Sequence, residues 1–251
     1  MLKAVNLTKK YGQLEILKGI SLEVNTGEIV SITGSSGAGK TTLLQILGTL
    51  DRPDDGTFTI DGINPFTLSQ GELAKFRNRK IGFVFQFHYL LSEFTVLENV
   101  MIGASKSASS GLISSALGLS GRDEERLKQR SMTALERVYA SGIADMRADS
   151  LPYPVTKRVA IARALVSEPK ILLLDEPAGG LGSSDIEWMN SLIHNLASQC
   201  SIILVEHHMD VVMSVCDRLY VLNFGQVIAS GDVETVRRDE AVVAAYLGVN
   251  N

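Results

Sequence analysis

The sequence predicts an α/β fold: a mostly parallel sheet covered by helices, interrupted by an inserted helical segment. Three observations carry this. Short β-rich runs alternate with turn residues over the first ninety positions. A Ser, Gly and Ala stretch at 105–121, with one lysine, then leads into a charged, amphipathic run at 123–140. After Ser150, helical and strand patterns alternate regularly, as expected of parallel strands joined by helices.

Taken in order, residues 2–7, 14–24, 28–33, 57–61 and 81–85 read as strands, short runs set off by turn residues. The run at 123–140 reads as an exposed helix. Then follow a helix at 156–166, a buried strand at 171–175, a helix at 185–197, a strand at 201–206 and a helix at 209–216. Strands at 218–223 and 226–229 complete the sheet, and residues 231–251 read as short helices packed on the core. No internal repeat is visible.

Composition narrows the function classes. The 251 residues are 45% hydrophobic and 21% charged, which describes a globular chain with ample core rather than a disordered or collagen-like one. Basic and acidic side chains number 24 and 28, a net charge of −4, so a sequence-independent nucleic-acid partner is not expected. Cys200 and Cys216 supply neither a metal cluster nor a disulfide framework. With no leader ahead of Asn6, a reducing cytosol is the expected compartment. No apolar run approaches the roughly 20 residues that span a bilayer, so direct lipid insertion is not expected.

The strongest chemical signal is Gly34-Ser35-Ser36-Gly37-Ala38-Gly39-Lys40-Thr41-Thr42, which leaves a strand and opens an apolar helix. A Gly-rich turn could merely link the two. The full G-x-x-x-x-G-K-[ST] spacing in this context instead specifies a phosphate loop, whose backbone N–H groups wrap phosphates at a helix N-terminus. Lys40 would reach the β and γ phosphates, and the Thr41 hydroxyl would ligate Mg²⁺. A second feature matches it: four apolar residues at 171–174 run into Asp175-Glu176-Pro177. Alone, such a run is as often a solvated strand end. Beside a phosphate loop, Asp175 is expected to hold magnesium through water and Glu176 to polarise the attacking water.

With these motifs in place, nearly the whole chain resembles the nucleotide-binding subunit of an ATP-binding cassette (ABC) transporter. The resemblance implies a P-loop NTPase (RecA-like) core with a mixed sheet, an antiparallel β edge subdomain and an inserted α-helical subdomain. It implies a single domain over 1–251, with core segments 1–86 and 155–230, helical subdomain 87–154 and C-terminal helices 231–251. Tyr11 matches the aromatic that stacks on adenine, Gln86 the glutamine that touches Mg²⁺ and the attacking water, and His207 the histidine that contacts the γ-phosphate. His208 is given no chemistry, and the His/Cys spacing does not read as a zinc site. ATP and Mg²⁺ are the implied ligands. Membrane-spanning permease subunits and a second ATPase subunit, in a homodimer or heterodimer, are the implied partners at the cytoplasmic face of the inner membrane.

Two positions depart from the family pattern. The signature usually written Leu-Ser-Gly-Gly-Gln stands here as Leu151-Pro152-Tyr153-Pro154-Val155, which removes a hydroxyl and an N–H from a tip that grips the partner subunit's nucleotide. Pro154 is also a good helix start. Gly182 stands where most members carry an aspartate of the inter-subunit loop. One consequence would be a hydrolysis-impaired partner in an asymmetric pair. The resemblance also divides. Residues up to about Met101, including the run Arg77 to His88, look most like ATPases of lipoprotein-releasing and macrolide-type exporters. Later residues, including Glu206-His207-His208-Met209-Asp210, look more like those of branched-chain amino-acid importers. A soluble cassette of DNA repair or translation would carry a long coiled-coil insertion or a second cassette, and neither is present.

Overall fold

Two sheets and the helices around them organise the computed structural model, which describes residues 1–86, 90–104 and 121–247. Strands β1 (Leu2–Tyr11), β2 (Leu14–Val24) and β4 (Asp55–Ile60) form an antiparallel sheet ordered β2-β1-β4. In β1, buried positions (Leu2, Ala4, Leu7) alternate with more open ones, as expected of a sheet with one face on a core and one toward water.

The second sheet comprises β3 (Ile29–Gly34), β5 (Ile81–Val84), β6 (Ile171–Asp175), β7 (Ser201–Val205), β8 (Arg218–Asn223) and β9 (Gln226–Gly231), ordered β5-β6-β7-β3-β8-β9. All pairs are parallel except β8 with β9. Strands β3 and β7 are buried along their whole length and β6 along four of its five residues, so helices cover both faces. That is why these strands read as unbroken apolar runs.

The helices are α1 (Lys40–Leu47), α2 (Gln70–Lys80), α3 (Val96–Gly103), α4 (Gly121–Arg137), α5 (Tyr153–Leu165), α6 (Ser183–Ala197), α7 (Met209–Val215), α8 (Val233–Arg237) and α9 (Glu240–Leu247). Leu127, Ala134 and Leu135 of α4 join Val96, Val100 and Met101 of α3 and Val159, Ile161 and Leu165 of α5 in one apolar cluster with the outer face of the sheet. A second cluster packs α1 between the two sheets.

The expected strands and helices are present with shifted ends, and two helices appear that periodicity does not reveal. Helix α2 buries Leu73 alone, so its sequence carries no apolar stripe. Helix α3 is the opposite case, burying Val96, Leu97, Asn99, Val100 and Met101 around most of its circumference. Both begin with a capping box, Ser69 with Glu72 and Thr95 with Glu98, and that local signal announces them. Strand β1 runs on to Tyr11, and α5 begins three residues before the expected start at 156. Most of the Ser/Gly/Ala run at 105–121, the segment 87–89, including His88, and the last four positions of the expected C-terminal helices, 248–251, lie outside the described residues.

Candidate nucleotide site

Parallel pairing of β5, β6, β7 and β3 places the C-terminal ends of all four strands on one edge of the sheet. That edge is where ligand chemistry belongs in an open α/β sheet. Gly34 ends β3, Gln86 lies two residues beyond β5, Asp175 ends β6 and His207 lies two residues beyond β7. Four segments far apart in sequence thus arrive together.

The loop from Gly34 to Gly39 turns directly into α1, with Gly39 as its N-cap. Glycine is required there: φ is +98°, and a Cβ would lie 2.8 Å from Leu17 Cδ2 and 3.1 Å from the Ile16 carbonyl. Ala38 is buried against the antiparallel sheet, whereas Ser36 and Gly37 are exposed and Ser35 is half-buried. Lys40 Nζ donates to the carbonyls of Gly34 and Ser35, at 2.9 Å each. Burial lowers its pKa, and Glu176 and Asp175 across the cleft pull it back up. Thr41 is exposed and Thr42 half-buried on the first turn of α1, where the helix dipole favours negative charge.

Opposite this loop, three side chains converge. Gln86 Nε2 donates to Glu176 Oε2 at 2.8 Å, and His207 Nδ1 lies 3.7 Å from Glu176 Oε1. Glu176 is therefore held between the ends of β5 and β7. Asp175 is more enclosed: burial, then the neighbouring carboxylate of Glu176, pushes its pKa up to about 6, with Lys40 opposing. Two carboxylates facing one lysine leave a deficit of positive charge that fits a divalent cation. Thr41, Asp175 and Gln86 each carry a side-chain oxygen, the donor type Mg²⁺ takes.

Tyr11, at the end of β1, exposes about half of its surface. Its hydroxyl donates to Asp51 Oδ2 at 2.6 Å, and Lys9 Nζ binds the other oxygen of Asp51 at 2.8 Å. The ring is thereby tethered near Thr42, with Lys9 Nζ 5.2 Å from its centroid.

Sequence reading gave Asp51 no role, because its side-chain partners Lys9 and Tyr11 lie about 40 residues away. It also passed over Glu206, a carboxylate at the end of an apolar run. Glu206 is fully buried and accepts the N–H groups of Ala178 (2.8 Å), His207 (2.8 Å) and His208 (3.1 Å), with His208 Nδ1 at 3.0 Å. Burial alone would raise its pKa, but these N–H groups bring it below the usual carboxylate value. Ligand atoms of Glu206, His207 and His208 lie within 4.8 Å of one another, yet those of Glu206 are already committed to backbone donors.

At the altered signature, Pro152 is the N-cap of α5 and Pro154 its second helical residue, so the tip is built as a proline helix start without a side-chain cap. The N–H groups of Val155 and Thr156 turn inward to the Pro152 carbonyl, at 2.9 and 3.1 Å.

Comparison with known proteins accords with this geometry. The chain is 44% identical over 209 residues to the lipoprotein-releasing system ATP-binding protein LolD of Bacteroides thetaiotaomicron, covering 82% of this chain and 90% of that one. That likeness extends well past residue 103. It is 36% identical over 254 residues to the high-affinity branched-chain amino acid transport ATP-binding protein LivG of Salmonella typhimurium, covering 98% of both. Residues 226–250 also match a branched-chain amino acid ATP-binding cassette transporter family. Among solved structures, the dimeric post-hydrolysis state of the ATP-binding cassette MJ0796, bound to ADP and Pi, superposes with a TM-score of 0.80 at 34% identity. It covers 93% of this chain and 99% of that one. Residues 17–179 match the ABC transporter family, and with these relatives over most of its length the chain belongs to that family as an ATP-binding, ATP-hydrolysing cassette.

Proposed function

We propose that this cassette works at the cytoplasmic face of a membrane, pairing with a second ATPase subunit around ATP and driving membrane-spanning permease subunits of the lipoprotein-releasing type. The 44% identity to a lipoprotein-releasing ATPase supports that transporter class. No helix among the described residues is long and apolar enough to cross a membrane, which fits a subunit that relies on separate spanning chains. Within the chain, segments 1–86 and 155–230 act as the core, 87–154 as the helical subdomain and 231–251 as a C-terminal cover.

The observation that carries the catalytic reading is the convergence of Gln86, Glu176 and His207 on the sheet edge facing Lys40. In this reading the N–H groups from Ser35 to Thr42 cradle the phosphates and the Lys40 ammonium neutralises the β and γ oxygens. Tyr11 stacks on adenine. The Glu176 carboxylate takes a proton from the water that attacks the γ-phosphorus, ADP departs, and Gln86 and His207 hold that water and the γ-phosphate in line. Bound Mg²⁺, held by Thr41, Gln86 and Asp175, would supply charge neutralisation of the phosphates.

The test compares hydrolysis by the parent and by Glu176→Gln, each alone and with the permease. Loss of the general base should cost ~10²–10⁴-fold in kcat. Equal rates in the two proteins would sink the assignment of Glu176.

A further inference from the structure

A buried ammonium lies between α5 and the loop that follows Glu176. Lys157 is 1% exposed, and its Nζ donates to the carbonyl of Gly179 at 2.5 Å and to that of Glu176 at 3.3 Å. The Tyr153 ring stands 5.4 Å from the same nitrogen, and the Tyr153 hydroxyl donates to the Gly179 carbonyl at 3.3 Å. From the other side, Glu206 takes the Ala178 N–H. Residues 176–179 are thus gripped twice, their carbonyls by α5 and an N–H by the segment leaving β7.

This segment needs external support. Glu176 has φ +48°, a left-handed conformation that strains a residue with a Cβ and persists where its surroundings over-determine it. Its own N–H is held by the Val205 carbonyl at 2.9 Å, which leaves its C=O as the remaining backbone handle. The Gly179 N–H reaches that carbonyl at 3.1 Å, and Lys157 adds a second donor from outside the loop, which it does against a penalty. Burial draws its pKa down to about 8, with Glu206 and Glu176 opposing the fall. A methionine would fill the same space without the penalty, so what the ammonium adds is its hydrogen bonds.

We infer that Lys157 is a positioning residue for hydrolysis, which, through the carbonyls of Glu176 and Gly179, holds the Glu176 carboxylate on the sheet edge and ties it to the first turns of α5. The inference rests on the reading of Glu176 as the residue that polarises water. The Lys157 hydrogen bonds go to Glu176 and Gly179 rather than to the Gly34–Thr42 loop, so its loss alters the chemical step and leaves nucleotide affinity in place. Displacement of the start of α5 passes by the same bonds to Glu176, which makes the altered signature and the hydrolytic carboxylate mechanically one unit.

The experiment uses the purified full chain as parent, Lys157→Met, Lys157→Arg and Glu176→Gln. ATP hydrolysis is followed across ATP concentrations in Mg²⁺, and binding is followed with a fluorescent ATP analogue. A displaced reacting group can cost up to ~10²-fold, so Lys157→Met should lose at least ~10-fold in kcat with KM and analogue affinity within ~2-fold of the parent. Lys157→Arg, which keeps charge and donors, should recover much of that loss. Parental kcat in Lys157→Met, or equal losses of kcat and affinity, overturns the inference. Should Lys157→Met fail to fold, Lys157→Gln is read by the same split, and failure of both to fold makes Lys157 a folding residue and overturns it too. The two levels separate cleanly: an active Glu176→Gln overturns the underlying reading, whereas an inactive Glu176→Gln beside a normal Lys157→Met overturns only the positioning role.

Discussion

Lys40 illustrates how a single side chain is arranged for a ligand. Its ammonium is half-buried, its pKa is lowered by that burial, and its bonds in the chain are to two loop carbonyls that water could serve equally well. Removing it therefore costs the fold little, while phosphate binding loses a charge-assisted contact of about 1.5–3 kcal/mol. Lys40→Ala should weaken ATP binding by ~10- to 100-fold, measured by titration calorimetry, with an unchanged melting temperature. Retained affinity would count against its role. Glu176 differs in that its position depends on others: Gln86 holds its carboxylate, Lys157 and the Gly179 N–H its carbonyl, and the Val205 carbonyl its N–H.

Between elements, the junction at Asp61 shows how the antiparallel sheet is fastened to the parallel one. Asp61 follows β4, and its carboxylate accepts from Lys80 at the end of α2 (2.7 Å) and from Lys170 just before β6 (3.3 Å). The Lys80 hydrogen bond is the main cause of its lowered pKa. A carboxylate whose folded pKa lies below its unfolded value adds stability above the unfolded pKa, near 4, and loses it as pH falls through the folded value. Because the group is partly solvated, screening limits the gain to about 1 kcal/mol. Asp61→Asn should thus unfold in urea about 1 kcal/mol more easily than the parent at pH 7, with the difference shrinking as pH falls below about 4. A constant difference across pH would mean that the junction is held by packing. The start of α5 carries the other consequence at this scale. With prolines at its N-cap and second position, it is well formed as a helix and poor in free donors.

For the whole molecule the open question is closure around ATP. A solved cassette with a TM-score of 0.80 to this chain is a dimer with ADP and Pi. Here the signature tip lacks a serine hydroxyl and the backbone N–H groups of Pro152 and Pro154, and each lost charge-assisted bond should weaken a closed dimer by about 1.5–3 kcal/mol. Size-exclusion chromatography of Glu176→Gln with ATP and no Mg²⁺ should show a shift toward dimer, since blocked hydrolysis traps closure. A persistent monomer would mean that this tip does not suffice for a symmetric pair and that an unequal partner or the permease is required.

The phosphate loop was legible because its chemistry is contiguous: glycines, Lys40 and Thr41 lie within one strand-turn-helix, and local spacing specifies them. Strands β3, β6 and β7 were legible because burial on both faces leaves unbroken apolar runs, and Tyr11, Gln86 and His207 were reached through family resemblance rather than pattern. Helices α2 and α3 escaped the periodicity because one buries almost nothing and the other is buried nearly all round. What tertiary structure alone decided is which distant groups meet. Strand order brings Glu206 to the Ala178 N–H, the path of β1 brings Tyr11 to Asp51, and the docking of α5 brings Lys157 to the carbonyls of Glu176 and Gly179. Local propensity and spacing act over a few residues, whereas these contacts depend on sheet order and helix packing over distances of about 20 to 40 residues.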